Sequence, residues 1–312
     1  MTDAAIRTPG ASAGFAPGVL LRRAAAGRVV PILTILLALV VVWFAGAVYL
    51  NAPRTIEAFE RQELDWTTGD LIDATWSMER PVLPTPAQVA SDMWANTVER
   101  SVTSRRSLVF HAWVTLSSTL LGFTLGSALG VLIAVGMVHV RTLDRSLMPW
   151  VIASQAIPIL AIAPMVVVVL GNLGVTGVVP KAIISAYLSF FPVTIGMVKG
   201  LRSPDTLQLD LMRTYSATRA QVFWKLRWPA SIDFLFPSLK VGIALALVGA
   251  IVGELPTGAQ AGLGARLLTG SYYGQTVQMW SALMMCAVLA LVCIFAVTAA
   301  ERAVLASRGG RR

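Results

Sequence analysis

Residues 112–140 read AWVTLSSTLLGFTLGSALGVLIAVGMVHV. About 20 helical residues suffice to cross roughly 30 Å of hydrocarbon, and this run exceeds that. Five more apolar runs flank it, approximately Val29 to Leu50, Leu147 to Leu170, Ala182 to Val198, Phe234 to Val252 and Met279 to Ala300. One soluble core has no use for so many. Each run must be a helix, because an open strand in lipid leaves backbone N–H and C=O groups without partners at several kcal/mol each. The alternation of apolar and polar residues that marks barrel strands is absent. Composition agrees, with 56% hydrophobic and 13% charged residues, against about 25% charged in a soluble domain. The expected fold is an all-α membrane protein with six transmembrane helices.

The first run follows a basic start, and Ala45-Gly46-Ala47 has the form of a signal cleavage site. Its apolar stretch is longer than a signal core, so it is read as an anchor. Orientation follows the basic residues, which are retained in the cytoplasm near span ends. Arg7, Arg22, Arg23 and Arg28 precede the first span, Arg141 and Arg145 follow the second, and Arg302, Arg308, Arg311 and Arg312 follow the last. The loop 199–231 holds Lys199, Arg202, Arg213, Arg219, Lys225 and Arg227, whereas in 51–107 the acids outnumber the bases. Both termini are therefore expected in the cytoplasm. The domain expectation is a basic cytoplasmic tail over 1–28, an anchor over 29–50, a periplasmic interfacial segment over 51–107, a transmembrane core over 108–303 and a short cytoplasmic tail over 304–312.

This topology accounts for the net charge of +9, and no basic face on a soluble domain remains for nucleic acid. Cys286 and Cys293 lie within the last span, where packing is their simplest role. No G-x-x-x-x-G-K-[ST] loop occurs, and the two histidines, His111 and His139, stand at opposite ends of one span. Nucleophile-and-base pairs and metal clusters are likewise missing, so the chain is not expected to be an enzyme. Its energy must come from a gradient or a partner.

In 51–107, Trp66, Trp76 and Trp94 among charges suit short interfacial helices, with a plain connector as the alternative. The loop 199–231 says more. Ser203-Pro204-Asp205 supplies a cap, a first-turn proline and an acid at the positive helix end, so a helix is expected from there to about Tyr215. Thr218 and Gln221 have the spacing of a capping box. A second short helix carrying Val222, Phe223, Leu226 and Trp228 is expected to stop at Pro229. Such a hairpin, apolar and basic together, suits either the grip of another protein or an anionic membrane surface.

Gly122, Gly126 and Gly130 in the second span, and Gly242, Ala246, Gly249 and Gly253 in the fifth, repeat small residues at four-residue spacing, which lets helices approach closely. Pro158, Pro164 and Pro192 should loosen or kink their spans. Charges inside hydrocarbon are functional candidates. Lys240 can snorkel or pair with Asp233, seven residues earlier. Glu254 stands at the negative end of its helix, where an acid needs a specific partner or a gating role. Gln155, Asn172, Ser189 and Tyr187 are further polar candidates for a translocation path.

The stretch from Asp210 to Pro229 resembles the cytoplasmic "EAA" loop of permeases of binding-protein-dependent ABC importers. Asp210-Leu211-Met212 stands for E-A-A, Ser216 for the turn glycine, and Trp228-Pro229 for the closing pair; Tyr215, Ala217, Arg219 and Phe223 fall within the same loop. The likeness extends over about 83–303, through Leu83-Pro84-Thr85-Pro86, Ile157-Pro158, Ala163-Pro164, Phe190-Phe191-Pro192, Gly253-Glu254 and Gly262-Leu263-Gly264, and is closest to the nitrate, sulfonate, taurine and pyrimidine-precursor branch. It implies one anchor plus a five-helix type I permease core in a bacterial inner membrane. It further implies cytoplasmic ATPase subunits docked on the loop, a second permease in a homodimer or heterodimer, and a periplasmic solute-binding protein. No cofactor would be bound by this chain, ATP and Mg belonging to the partner ATPase. A small polar or heteroaromatic cargo is the corresponding expectation. An ion-gradient-driven transporter and a non-transporting scaffold that recruits a cytoplasmic protein remain alternatives, the former weakened by the absence of an acid buried mid-span.

Overall fold

Where these helices bend, and how closely they approach, is set by their prolines and glycines. The computed structural model describes residues 29–255 and 261–309; the expected basic tail over 1–28 and the last residues of the expected C-terminal tail lie outside them. Among the described residues every regular element is helical. Five helices are long and apolar enough to cross a membrane, or six if one bent pair forms a span.

The chain divides into two compact units at residue 78. The first holds α1 (Val29–Arg61) and α2 (Thr68–Ser77). Helix α1 runs eleven residues beyond the expected end at Leu50, through Pro53. Hydropathy marks where lipid can end, whereas the helix ends where its hydrogen bonding does. Thr67 and Asp70 form a reciprocal capping box that starts α2. Trp66 stacks on Phe59 at 6.1 Å and Trp76 meets Phe44 edge-on at 5.3 Å.

The second unit contains α3 (Pro86–Trp94), α4 (Leu108–His139), α5 (Arg141–Ala153), α6 (Ile159–Asn172), α7 (Val178–Leu201), α8 (Thr206–Thr214), α9 (Arg219–Val222), α10 (Trp228–Glu254), α11 (Leu263–Tyr272) and α12 (Thr276–Gly309). Helix α3, in the segment expected to lie outside the core, is tied to α12: Ser281 donates to the Val89 carbonyl at 3.4 Å. The single helix expected over 147–170 is two. A proline repels helical geometry in the residue before it, and Ile157 is accordingly extended (φ −83°, ψ 123°). The axes on either side of the Ile157-Pro158 break differ by 97°. Pro164 and Pro192, by contrast, sit inside continuous helices.

Helix α7 is the hub. The glycines of α4 lie against it so closely that a Cβ at Gly122 would stand 2.3 Å from Cβ of Ser185, and one at Gly126 would stand 2.1 Å from Oγ of Ser189. A Cβ at Gly130 would meet the Phe190 carbonyl at 2.7 Å. On the other flank, a Cβ at Gly249 of α10 would be 2.7 Å from Cα of Ser185, and one at Gly253 would be 3.2 Å from Cα of Lys181. Both glycine stripes therefore close on the same helix within one chain. Apolar clusters fill the remaining space: Leu108, Ile243, Leu247, Ala282, Cys286 and Cys293 at one level, and Ala134, Met137, Val193, Met197, Leu201 and Phe223 near the hairpin. The two cysteines thus pack as small apolar groups.

Overpacking such a seam costs about 1–3 kcal/mol even where neighbours can yield; at Gly126 the neighbour is the α7 backbone, with the Ala186 carbonyl 2.6 Å away. Gly126→Val is expected to lower the melting temperature in detergent by several degrees and to broaden the size-exclusion peak. Gly171→Val, where a Cβ would meet nothing within 4 Å, is expected to leave both measurements unchanged.

Candidate functional site

Two groups of residues stand at opposite ends of α10: the hairpin that precedes it and a buried polar cluster around its last residue.

In the hairpin, the cap of α8 is Asp205, not Ser203. Its carboxylate accepts from Gln208 N at 2.8 Å, and Gln208 returns the bond to Asp205 N at 3.3 Å. The helix ends at Thr214. Ser216 N donates to the Arg213 carbonyl at 2.8 Å and Ala217 N to that of Met212 at 3.0 Å, the paired bonds of a Schellman ending. The residue after the cap in that motif is left-handed and normally glycine; here it is Ser216, at φ +51°. The position expected to demand glycine-like geometry adopts it with a side chain present. Thr218 and Gln221 then form the expected capping box, at 2.8 and 3.3 Å.

The second limb does not stop at Pro229. The turn Phe223–Arg227 is π-helical, with Trp228 N donating to the Phe223 carbonyl, and the widened turn carries the chain past a proline that lacks an N–H. Arg219 to Glu254 is thus one rod of 36 residues, roughly 54 Å at 1.5 Å per residue. Phe223 is buried between His139 at 5.1 Å and Trp228 at 6.0 Å, so it fastens the hairpin to the bundle. Arg227 donates to the Leu201 carbonyl at 3.3 Å. Leu207, Leu211, Tyr215 and Trp224 project outward, Leu207 and Tyr215 each 77% exposed. Asp210 pairs with Arg213 at 2.8 Å on the surface, and Met212 and Ala217 are half-buried.

At the far end, Glu254 is fully buried. Its carboxylate accepts from the Thr115 hydroxyl at 3.0 Å, from Gly264 N at 2.9 Å and from the Lys181 ammonium at 3.5 Å. Thr115 in turn accepts from Leu263 N at 2.9 Å, and Nδ1 of His111 accepts from Gly262 N at 2.9 Å. These are the first N–H groups of α11, which a helix cannot satisfy internally. Its own N-cap, Gly262, has no side chain to offer: a Cβ there would lie 2.2 Å from Cδ of Glu254, and φ is +128°. Three side chains from α4 and α10 therefore cap α11 in place of its own. Glu254, unfavourable at the negative end of α10, lies at the positive end of α11 and beside a cation. Nε2 of His111 lies 2.9 Å from the Arg105 carbonyl. Accepting on one nitrogen and donating from the other, the ring is the neutral Nε2–H tautomer.

Of these residues the sequence singled out Glu254 and the glycines. Lys181, Thr115 and His111 were missed; the four-residue spacing of His111 and Thr115, which puts both on one helix face, is the signal that could have found them. Beside Lys181 lies a cavity of about 570 Å3, walled by Val114, Val167, Thr176, Pro180 and Gly253. Lys240 pairs with Glu301 of α12 at 2.5 Å rather than with Asp233. Seven residues of helix span about 10.5 Å, while α12 passes alongside α10. Gln155 lies exposed at the break between α5 and α6, and Asn172 exposed at the end of α6. Ser189 is fully buried in the α4–α7 seam, and Tyr187 donates to the Ser154 carbonyl.

Removing one partner of a buried ion pair costs about 3–5 kcal/mol, because the other is left uncompensated. Glu254→Gln is expected to destabilise the protein on that scale in thermal unfolding, and adding Lys181→Met is expected to restore part of the loss. Ser216→Gly removes a left-handed Cβ and is expected to stabilise the hairpin by about 1 kcal/mol, read as slower hydrogen exchange over 212–218.

Residues 126–308 match the family described as binding-protein-dependent transport system inner membrane component. Among similar proteins is the formylaminopyrimidine transport permease protein ThiX of Halalkalibacterium halodurans, 33% identical over 184 residues, which are 59% of this chain and 68% of that protein. The riboflavin transport system permease protein RibX of Chloroflexus aurantiacus is also 33% identical over 184 residues, 59% of this chain and 65% of that one. The putative aliphatic sulfonates transport permease protein SsuC of Bacillus subtilis is 24% identical over 250 residues, 77% and 87% of the two chains. The match runs from Gly126, midway along α4, to Arg308 near the end of α12 and includes the hairpin, Gly126, Gly130, the α10 glycines and Glu254, and the chain belongs to the multi-pass inner membrane components of binding-protein-dependent transport systems, the ABC importer permeases.

Proposed function

We propose that this permease moves a small polar or heteroaromatic solute across a bacterial inner membrane, driven by ATP hydrolysis in a separate subunit. The observation that carries this reading is the hairpin. It presents Leu207, Leu211, Tyr215 and Trp224 to the outside, and its second limb is one helix with a membrane span. A docked ATPase would grip the exposed apolar face, and its closure on ATP would push the whole rod rather than a flexible loop. Asp210, Leu211, Met212, Tyr215, Ser216, Ala217 and Arg219 form the coupling surface; Phe223 and Pro229 join it to the bundle.

Both termini lie in the cytoplasm on this reading, with the hairpin, and the Glu254 end faces the periplasm. There the solute arrives from a binding protein, and Lys181, Glu254 and the cavity beside them lie at the mouth of the pathway. A second permease, identical or different, completes the channel. The chain binds no cofactor; ATP and Mg belong to the partner. The names of ThiX, RibX and SsuC support the cargo class, spanning a pyrimidine, a flavin and a sulfonate.

Affinity purification of the tagged chain from native membranes tests this, with stoichiometry of the soluble subunits recovered. An ATPase at one copy per permease is expected. Leu211→Asp with Tyr215→Ala is expected to reduce its recovery about tenfold, the effect of roughly 1.4 kcal/mol, without lowering the permease's own melting temperature. A preparation that transports solute with no ATPase attached overturns the reading in favour of a gradient-driven carrier.

A further inference from the structure

Between the end of α4, the start of α5 and the hairpin lies a recess of about 800 Å3, within the roughly 300–1,000 Å3 typical of ligand pockets. Four arginines line it, Arg141, Arg213, Arg219 and Arg227, beside His139 and an apolar floor that includes Phe223. No acidic side chain does. Two acids lie near: Asp210 pairs with Arg213, one of the four, at 2.8 Å, and Asp144 in the first turn of α5 pairs with Arg202 at 2.8 Å. Among the described residues Arg141 and Arg219 have no acidic partner within salt-bridge distance.

Guanidinium groups do not shed their protons, and Arg141 and Arg219, which carry no acid, leave positive charge on the recess that an anion would offset. A second feature points the same way. Helix α5, thirteen residues long, begins at Arg141 with no side-chain cap on its first turn, and its free N–H groups and positive dipole end favour an anion there. Every cation on the walls is arginine, whose planar fork matches two oxygens of a phosphate at once. The recess lies at the feet of the spanning helices α4 and α10.

We propose that this recess binds the phosphate of an anionic phospholipid headgroup, held by Arg141, Arg213, Arg219 and the first turn of α5, with the glycerol end against the Phe223 floor. A lipid bound there sits against the back of the hairpin, while the outward residues Leu207, Leu211 and Tyr215 stay free. The assignment requires only that the hairpin end lie at a membrane surface. Arg219 borders both this recess and the proposed coupling surface, so lipid retention and ATPase recovery are read separately.

Native mass spectrometry of the full-length protein in mild detergent tests it. Anionic phospholipid adducts are expected to survive delipidation in preference to neutral ones. Arg141→Gln with Arg219→Gln is expected to cut their retention roughly thirtyfold, as losing about two cationic contacts implies, and the Arg→Lys pair at the same positions is expected to retain an intermediate amount with an unchanged melting temperature. Equal retention by the wild type and the Gln variant overturns the proposal. So does inorganic phosphate that raises the wild-type melting temperature, but not the variant's, with no lipid adduct in either, which assigns the recess to free phosphate. If the Gln variant instead loses a co-purifying ATPase while its lipid adducts persist, the arginines serve a protein contact and the lipid assignment fails.

Discussion

The close approach of α4 and α10 to opposite flanks of α7 is the constraint on which the remaining structure depends. In lipid no hydrophobic force draws helices together, so contact must come from shape and from polar bonds. Here the shape comes from absence. Ser185 lies between Gly122 on one side and Gly249 on the other, at distances that admit no Cβ on either. Three helices are thereby locked in depth and rotation. That register brings His111 and Thr115 of α4, Lys181 of α7 and Glu254 of α10 to one level, where their polar atoms meet.

The cluster at that level resolves two costs at once. A carboxylate at the end of a spanning helix is exposed to the negative end of its own dipole, and a short helix with glycine at its cap leaves several N–H groups without acceptors. Each would be expensive alone in a low-dielectric interior. Joined, the acid accepts what the helix must donate, and Lys181 balances the remaining charge. Gly262 is part of the same solution, since only a residue without a side chain lets the backbone lie against the Glu254 carboxylate. Polar groups buried in this way hold one arrangement strongly and tolerate partial arrangements poorly.

Much of this was legible in the sequence. Spans declare themselves through length and hydropathy, the glycine stripes through four-residue spacing, and the Thr218 box through its side-chain chemistry. What escaped did so for identifiable reasons. The kink at Pro158 is expected, but its size, 97°, is not: hydropathy does not register direction. The helix through Pro229 survives because a π-turn absorbs the missing N–H, a device with no compositional mark. Helix α11 was missed because its capping groups are supplied by residues about 10 and 150 positions away, as Glu254 to Gly264 and His111 to Gly262 illustrate. The partner of Lys240 was misassigned because a sequence shows neighbours along a helix and not those beside it. Glu254 was singled out because an acid at the negative end of its helix demands a partner, although the partner groups lay in α4, α7 and α11.

The continuous helix from Arg219 to Glu254 also limits how this chain can vary in length. Each residue of an α-helix turns it by about 100° and advances it by 1.5 Å. Deleting or inserting one residue between the hairpin and Gly249 would rotate Glu254 away from Thr115 and Lys181, or swing Tyr215 and Leu211 to another bearing, and no loop intervenes to absorb the phase error. Chains that keep both ends of this rod in working order are therefore expected to be uniform in length from 219 to 254.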